Sequence, residues 1–67
     1  MEILLNNRPE VIEGNLLTVN ELLAVKKFTF RMLVIKINGE LVKKDNYSNA
    51  LIKNGDNVTV LHLISGG

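Results

Sequence analysis

Leu33-Val34-Ile35-Lys36-Ile37-Asn38-Gly39-Glu40-Leu41-Val42-Lys43 is the stretch on which the fold turns. Two runs rich in apolar and β-branched residues flank Asn38-Gly39. Asn-Gly is the dipeptide that a two-residue type I′ turn favours, because both central residues need positive φ. The spacing predicts an antiparallel hairpin that reverses at residues 38–39.

Upstream of the hairpin, Thr18-Val19-Asn20-Glu21 has the form of a capping box. The Thr18 hydroxyl can accept from the N–H of Glu21 while the Glu21 carboxylate accepts from the N–H of Thr18. A helix is expected to start there. Leu17 and Leu22 take the N′ and N4 positions of a hydrophobic staple, and Val19, Leu22 and Leu23 form an apolar stripe at helical spacing. Lys26 and Lys27 are expected in the last turn, as a solvated end whose charge complements the helix dipole. Phe28 and Phe30 are expected beneath the helix as core, with no cofactor box around them. At the start of the chain, residues 2–6 read as a strand with Ile3 and Leu5 on one face and Leu4 on the other. Asn6-Asn7-Arg8-Pro9 turns the chain into a second strand over residues 9–13. Pro9, which lacks an N–H, restricts that strand to a sheet edge or puts the proline at its opening. Gly14-Asn15 closes it.

Downstream, the polar run over residues 43–49 predicts a loop with a short helical turn, after which Ala50, Leu51 and Ile52 return to the core. Lys53-Asn54-Gly55-Asp56 is another turn, and residues 57–64 form the last strand, which leads into Ser65-Gly66-Gly67. The order β-β-α-β-β-turn-β, without repeats, linkers or low-complexity segments, predicts a single α+β domain over residues 1–67 with one helix packed across a small sheet. At 67 residues the chain is near the lower limit at which a hydrophobic core suffices without disulfides or metal.

Composition narrows the chemistry. The chain has no cysteine, which excludes a disulfide framework, a thiolate metal site and a cysteine nucleophile. Eight Lys and Arg against seven Asp and Glu leave little basic excess for neutralising phosphates, so nucleic acid is not expected as a partner. No apolar run reaches the roughly 20 residues of a membrane span, and Met1-Glu2-Ile3-Leu4-Leu5 lacks the basic start of a signal peptide. A soluble protein with no membrane partner, retained in the cytoplasm, is expected. His62, the one histidine, has no His or Cys neighbour with which to form a zinc set and reads as a surface or interface residue. Neither a Walker loop nor a dinucleotide fingerprint occurs. Ser48 and Ser65 have no base at a recognisable spacing, and Asp45 and Asp56 suit turns. The chain is therefore not expected to be an enzyme.

Two features remain. The first is the ending, Gly66-Gly67 after an apolar run. Without Cβ atoms, these units can lie extended in a channel too narrow for any side chain, so the terminus can be threaded into another protein's active site. Taken alone, the ending fits a frayed tail equally well. The second is the parity of the last strand, which puts Val58, Val60, His62 and Ile64 on one face and Thr59, Leu61 and Leu63 on the other. If Val58 and Val60 face the core, Leu61 and Leu63 are partly exposed, beside Leu4 if the first and last strands are neighbours. Together with Ile64 at the base of the tail they form a candidate docking surface. The alternative is that helix, loop or register covers these leucines.

Asn38-Gly39-Glu40-Leu41-Val42, Tyr47, Leu51, Asn54-Gly55-Asp56-Asn57-Val58 and the closing Gly66-Gly67 resemble the ThiS sulfur carrier proteins of thiamine biosynthesis, members of the ubiquitin-like β-grasp group. The likeness spans the whole chain. It departs at Val42-Lys43-Lys44, where the family often has proline and arginine, and at Tyr47, where a tryptophan is common. The resemblance implies a β-grasp fold, a mixed sheet of about five strands with one main helix across it and a flexible Gly-Gly tail. An α-carboxyl, with a reference pKa of about 3.3–3.7, is a carboxylate at neutral pH and a poor electrophile. In the family, an adenylating (ThiF-like) enzyme uses ATP and Mg to convert it into an acyl-adenylate. A sulfur donor such as a cysteine desulfurase then leads to a thiocarboxylate, here on Gly67, which thiazole synthase draws into its pocket. Ser65 and Gly66 would thread the channel, and an extended run from Ile64 to Gly67 would reach about 13 Å. No cofactor would be bound by this chain itself, and the free carrier would be a monomer. A ubiquitin-like modifier conjugated through Gly67, a molybdopterin-type carrier and a binding module with an inert tail remain open beside this reading.

Overall fold

The computed structural model describes residues 1–29 and 32–63. Its elements are β1 (Glu2–Leu5), β2 (Arg8–Val11), β3 (Leu16–Thr18), α1 (Val19–Val25), β4 (Leu33–Ile37), β5 (Glu40–Val42), β6 (Leu51–Lys53) and β7 (Asn57–His62), with a single 3-10 turn at Lys44–Asn46. Five strands form one sheet in the order β2-β1-β7-β4-β5, and β3 pairs with β6 in a second, two-stranded sheet. β1 and β7 run parallel at the centre of the large sheet, and its other pairs are antiparallel. The expected α+β arrangement, one helix on a mixed five-stranded sheet, is what the described residues adopt.

The hairpin forms as its turn chemistry dictates, with Ile37 opposite Glu40 and Asn38 and Gly39 at φ 52° and 84°. The first hairpin works the same way. Its reversal is the pair Asn6-Asn7 alone, at φ 53° and 67°, so β2 starts at Arg8 and ends at Val11 instead of covering residues 9–13. Asparagine tolerates positive φ well enough to replace glycine in such a turn. Pro9 lies on an edge strand, opposite Leu4, where its missing N–H costs no ladder bond.

The capping box of α1 is complete. Thr18 Oγ1 accepts from Glu21 N at 3.1 Å and Glu21 Oε1 accepts from Thr18 N at 2.8 Å. Leu17 and Leu22, the staple pair, are both buried in the core. The helix is shorter than the lysines lead one to expect. It closes at Val25, Lys26 caps it, and Lys27 at φ 57° turns the chain away. Lys26 is not a solvated end either, since its Nζ donates to Glu10 Oε2 of β2 at 2.9 Å.

The small sheet is an addition to the expected order. Leu16–Thr18 is extended and pairs with Leu51–Lys53, so Leu17 and Ile52 point inward together while Leu51 is exposed and does not join the core. The core is continuous from sheet to helix: Ile3, Leu5, Ile35, Val58 and Val60 meet Val19 and Leu22, with Ile12, Leu17 and Ile52 closing the sides. Burial of each such side chain contributes about 1.5–3 kcal/mol. Phe28 packs half-buried against this core; Phe30 lies outside the described residues.

Candidate functional site

β7 positions everything that leads to the tail. It sits between β1 and β4 and is held on both sides as it leaves the sheet. On the β1 side, the Asn6 side chain continues the ladder past the end of β1, donating from Nδ2 to Val60 O at 3.1 Å and accepting from Val60 N at Oδ1 at 2.8 Å. On the β4 side, His62 stands opposite Leu33, and Leu63 N then donates to Met32 O at 2.9 Å. The chain is therefore tied to the body as far as residue 63. Ile64, Ser65, Gly66 and Gly67, the expected base, channel segment and sulfur-carrying residue, lie outside the described residues.

The parity argument holds along the strand. Val58 and Val60 are buried, whereas Leu61 and Leu63 are 48% and 44% exposed, and Leu4 is 41% exposed. β1 and β7 are neighbours as expected, but the register separates their leucines. Leu4 stands level with Asn57, four residues short of Leu61, or roughly 13 Å at the rise of a strand. The apolar neighbour of Leu61 is instead Val34 of β4, directly opposite it. The exposed face thus has an apolar end near the tail, built from Val34, Leu61 and Leu63, and a separate Leu4 near the first turn.

Where β5 stops at Val42, β4 continues through Leu33 and Val34 with β7 on one side and no strand on the other, and an open groove of about 760 Å³ lies there. Leu23 and Phe28 line it on the helix side, Met32 and Leu63 at the tail end, and Lys43 and Lys44 along the rim. Sequence reading missed it, because its walls come from segments far apart in the chain.

The opposite end of β7 is a polar knot. Asp56 is buried and accepts from Lys53 N at 2.8 Å and from Asn38 Nδ2 at 3.0 Å, while Asn38 Oδ1 accepts from Asn57 N at 2.8 Å. Asp56 therefore has the turn role expected of it, and Asp45 sits in the 3-10 turn. His62 and Ser48 are exposed. Among the described residues no buried side-chain nitrogen or oxygen lacks a partner, and no three His, Asp or Glu side chains gather into a set that could hold a metal ion. No helix among them is long and apolar enough to cross a membrane.

Comparison with known proteins agrees with this geometry. The model of the ThiS family matches residues 3–67. The crystal structure of a thiamine biosynthesis protein (ThiS) from Geobacter metallireducens is similar at 29% identity, with all of both chains covered and a TM-score of 0.88. A solution NMR structure of a thiamine biosynthesis protein from the same organism is similar at 29% identity over all of this chain and 88% of that one, with a TM-score of 0.81. A comparison with curated proteins yields no match.

Proposed function

The chain belongs to the ThiS family of small β-grasp sulfur carriers, which are not enzymes, and from that premise we propose that its working atom is the terminal carboxyl carbon of Gly67. A ThiF-like adenylating enzyme supplies ATP and Mg. The Gly67 carboxylate attacks the α-phosphorus, pyrophosphate leaves, and an acyl-adenylate results. A sulfur donor such as a cysteine desulfurase presents a persulfide whose terminal sulfur displaces AMP, and a second thiol then cleaves the acyl disulfide so formed, leaving a thiocarboxylate on Gly67 and a disulfide between the two thiols. Thiazole synthase then accepts that sulfur. The thiamine biosynthesis role named for the Geobacter protein supports thiazole formation as the destination.

The observation that carries this reading is the reach of the family match, which runs through Gly66-Gly67 to the last residue. The geometry is in keeping with it. β7 is anchored up to Leu63, so four residues remain, about 13 Å when extended, to cross an enzyme's entrance while the body stays outside. Ser65 and Gly66 thread the channel, and the exposed Leu61 and Leu63, with Ile64 beyond them and Leu4 at the far end of the same face, meet the enzyme surface. The carrier is a cytoplasmic monomer when free, and this chain binds no cofactor of its own.

The test is intact mass spectrometry of the full chain after incubation with a ThiF-like adenylating enzyme, ATP, Mg, a sulfur source and a thiol. The expected product has one terminal oxygen replaced by sulfur. An unchanged mass with an enzyme that releases pyrophosphate on its own carrier would count against the reading, and high-mass conjugates in cell extract would favour a protein modifier instead.

A further inference from the structure

The groove beyond β5 has a composition that differs from the exposed sheet face. Its floor is apolar, with Leu23, Phe28 and Leu33 half-buried, and its lip exposes Met32 and Leu41 at 51% and 59%. Lys43 and Lys44 stand on the rim, and no carboxylate lines it among the described residues. Exposed apolar surface of this kind is stabilised by being covered, and a rim of one sign selects a partner of the other. The space could hold a small ligand by size, but such sites need convergent, buried polar groups to fix orientation. Here the polar groups are the two rim ammoniums with Asn20 and Tyr47. Two lysines on a chain of net charge +1 are also too few for a nucleic-acid track. Location completes the argument, because Leu63, where the anchored strand ends, lines the same groove.

We propose that this groove receives a short apolar segment flanked by Asp or Glu, presented by the adenylating enzyme, and that Lys43 and Lys44 steer it. The inference rests on the carrier reading above and adds the chemistry of the partner's contact. A segment seated between Phe28 and Leu41 grips the body beside Leu63, four residues from Gly67, so the enzyme that holds the groove has the terminal carboxylate within about 13 Å of chain.

The experiment compares the full-length parent, K43E/K44E and Leu41→Ser for binding to the adenylating enzyme by calorimetry, and for KM and kcat in pyrophosphate release. All three changed side chains are exposed, so melting temperatures should match the parent's. K43E/K44E should raise Kd and KM by roughly tenfold or more while kcat at saturating carrier is retained, and the parent's affinity should fall with salt more steeply than the variant's. Leu41→Ser should weaken binding without changing the salt dependence. Binding of both variants within about twofold of the parent, at a parent affinity that is measurable, would overturn the groove assignment alone. Failure of the parent to bind would overturn it together with the carrier reading, whereas weakened binding of K43E/K44E without any sulfur in the product would leave the groove standing and remove only the thiocarboxylate.

Discussion

Asn6 and Asn38 have the same double role at two places along β7. Each occupies the first position of a two-residue turn at positive φ; Asn6 bonds both backbone groups of Val60, while Asn38 accepts from Asn57 N and donates to the Asp56 carboxylate. Glycine would suit the turn but cannot make the bonds. Asn6→Gly therefore isolates the clamp: the backbone conformation is retained while Val60 loses both partners. We expect a loss of about 1–3 kcal/mol, which in a domain of this size lowers the melting temperature by roughly 4–8 °C per kcal/mol. Calorimetry measures the loss, and amide exchange at Val60 should accelerate. Gly66 is the opposite case. The core found among the described residues draws on none beyond Val60, so we expect Gly66→Ala to melt with the parent. Its effect should appear only when the tail enters a channel, as a loss of adenylation rate. Equal pyrophosphate release by mutant and parent would contradict the threading role.

At the level of elements, α1 shows how far a local signal reaches. It has seven residues, well below the length at which an isolated helix is stable in water, so it depends on its cap and on the sheet beneath it. Thr18→Ala removes the acceptor for Glu21 N and should cost about 0.5–2 kcal/mol. In urea the midpoint should fall with an unchanged m-value, because the same surface is exposed on unfolding. The capping box was legible because all its partners lie within four residues, and the Asn38-Gly39 hairpin was legible for the same reason. β3 and β6 were not. Strands of three residues, with Leu16 and Leu51 exposed and one inward residue each, are too short to show an alternating pattern. Their pairing also spans more than thirty positions of chain. The helix end was misjudged for a related reason: Lys26 is fixed by Glu10 from a distant strand, a contact that no local preference for positive charge at a helix terminus reveals. At the site, parity was enough to expose Leu61 and Leu63, but neither Val34 opposite Leu61 nor the groove between helix, β4 and β5 can be read without the register.

On the scale of the whole molecule, β7 separates two ends with different chemistry. At its start the buried Asp56, Asn38 and the turn after β6 lock the hairpin to the sheet with fully paired polar groups. At its far end lie exposed leucines and a lysine-rimmed groove. The proposed carrier function thus uses the end of β7 opposite the paired polar groups, and this makes deletion a clean test. Among the described residues, the core, the strand ladders and the anchor at Leu63 are built from positions no later than 63. The truncated chain should therefore unfold within about 0.5 kcal/mol of the parent, as surface changes do. It should also bind the adenylating enzyme, since the groove and the exposed face are intact. It should nonetheless acquire no sulfur, because the carboxylate it presents is shorter by two residues, about 7 Å, and ends on Ser65. A truncated chain that is still adenylated and thiolated at the parent's rate would show that the chemistry does not depend on the glycine arm.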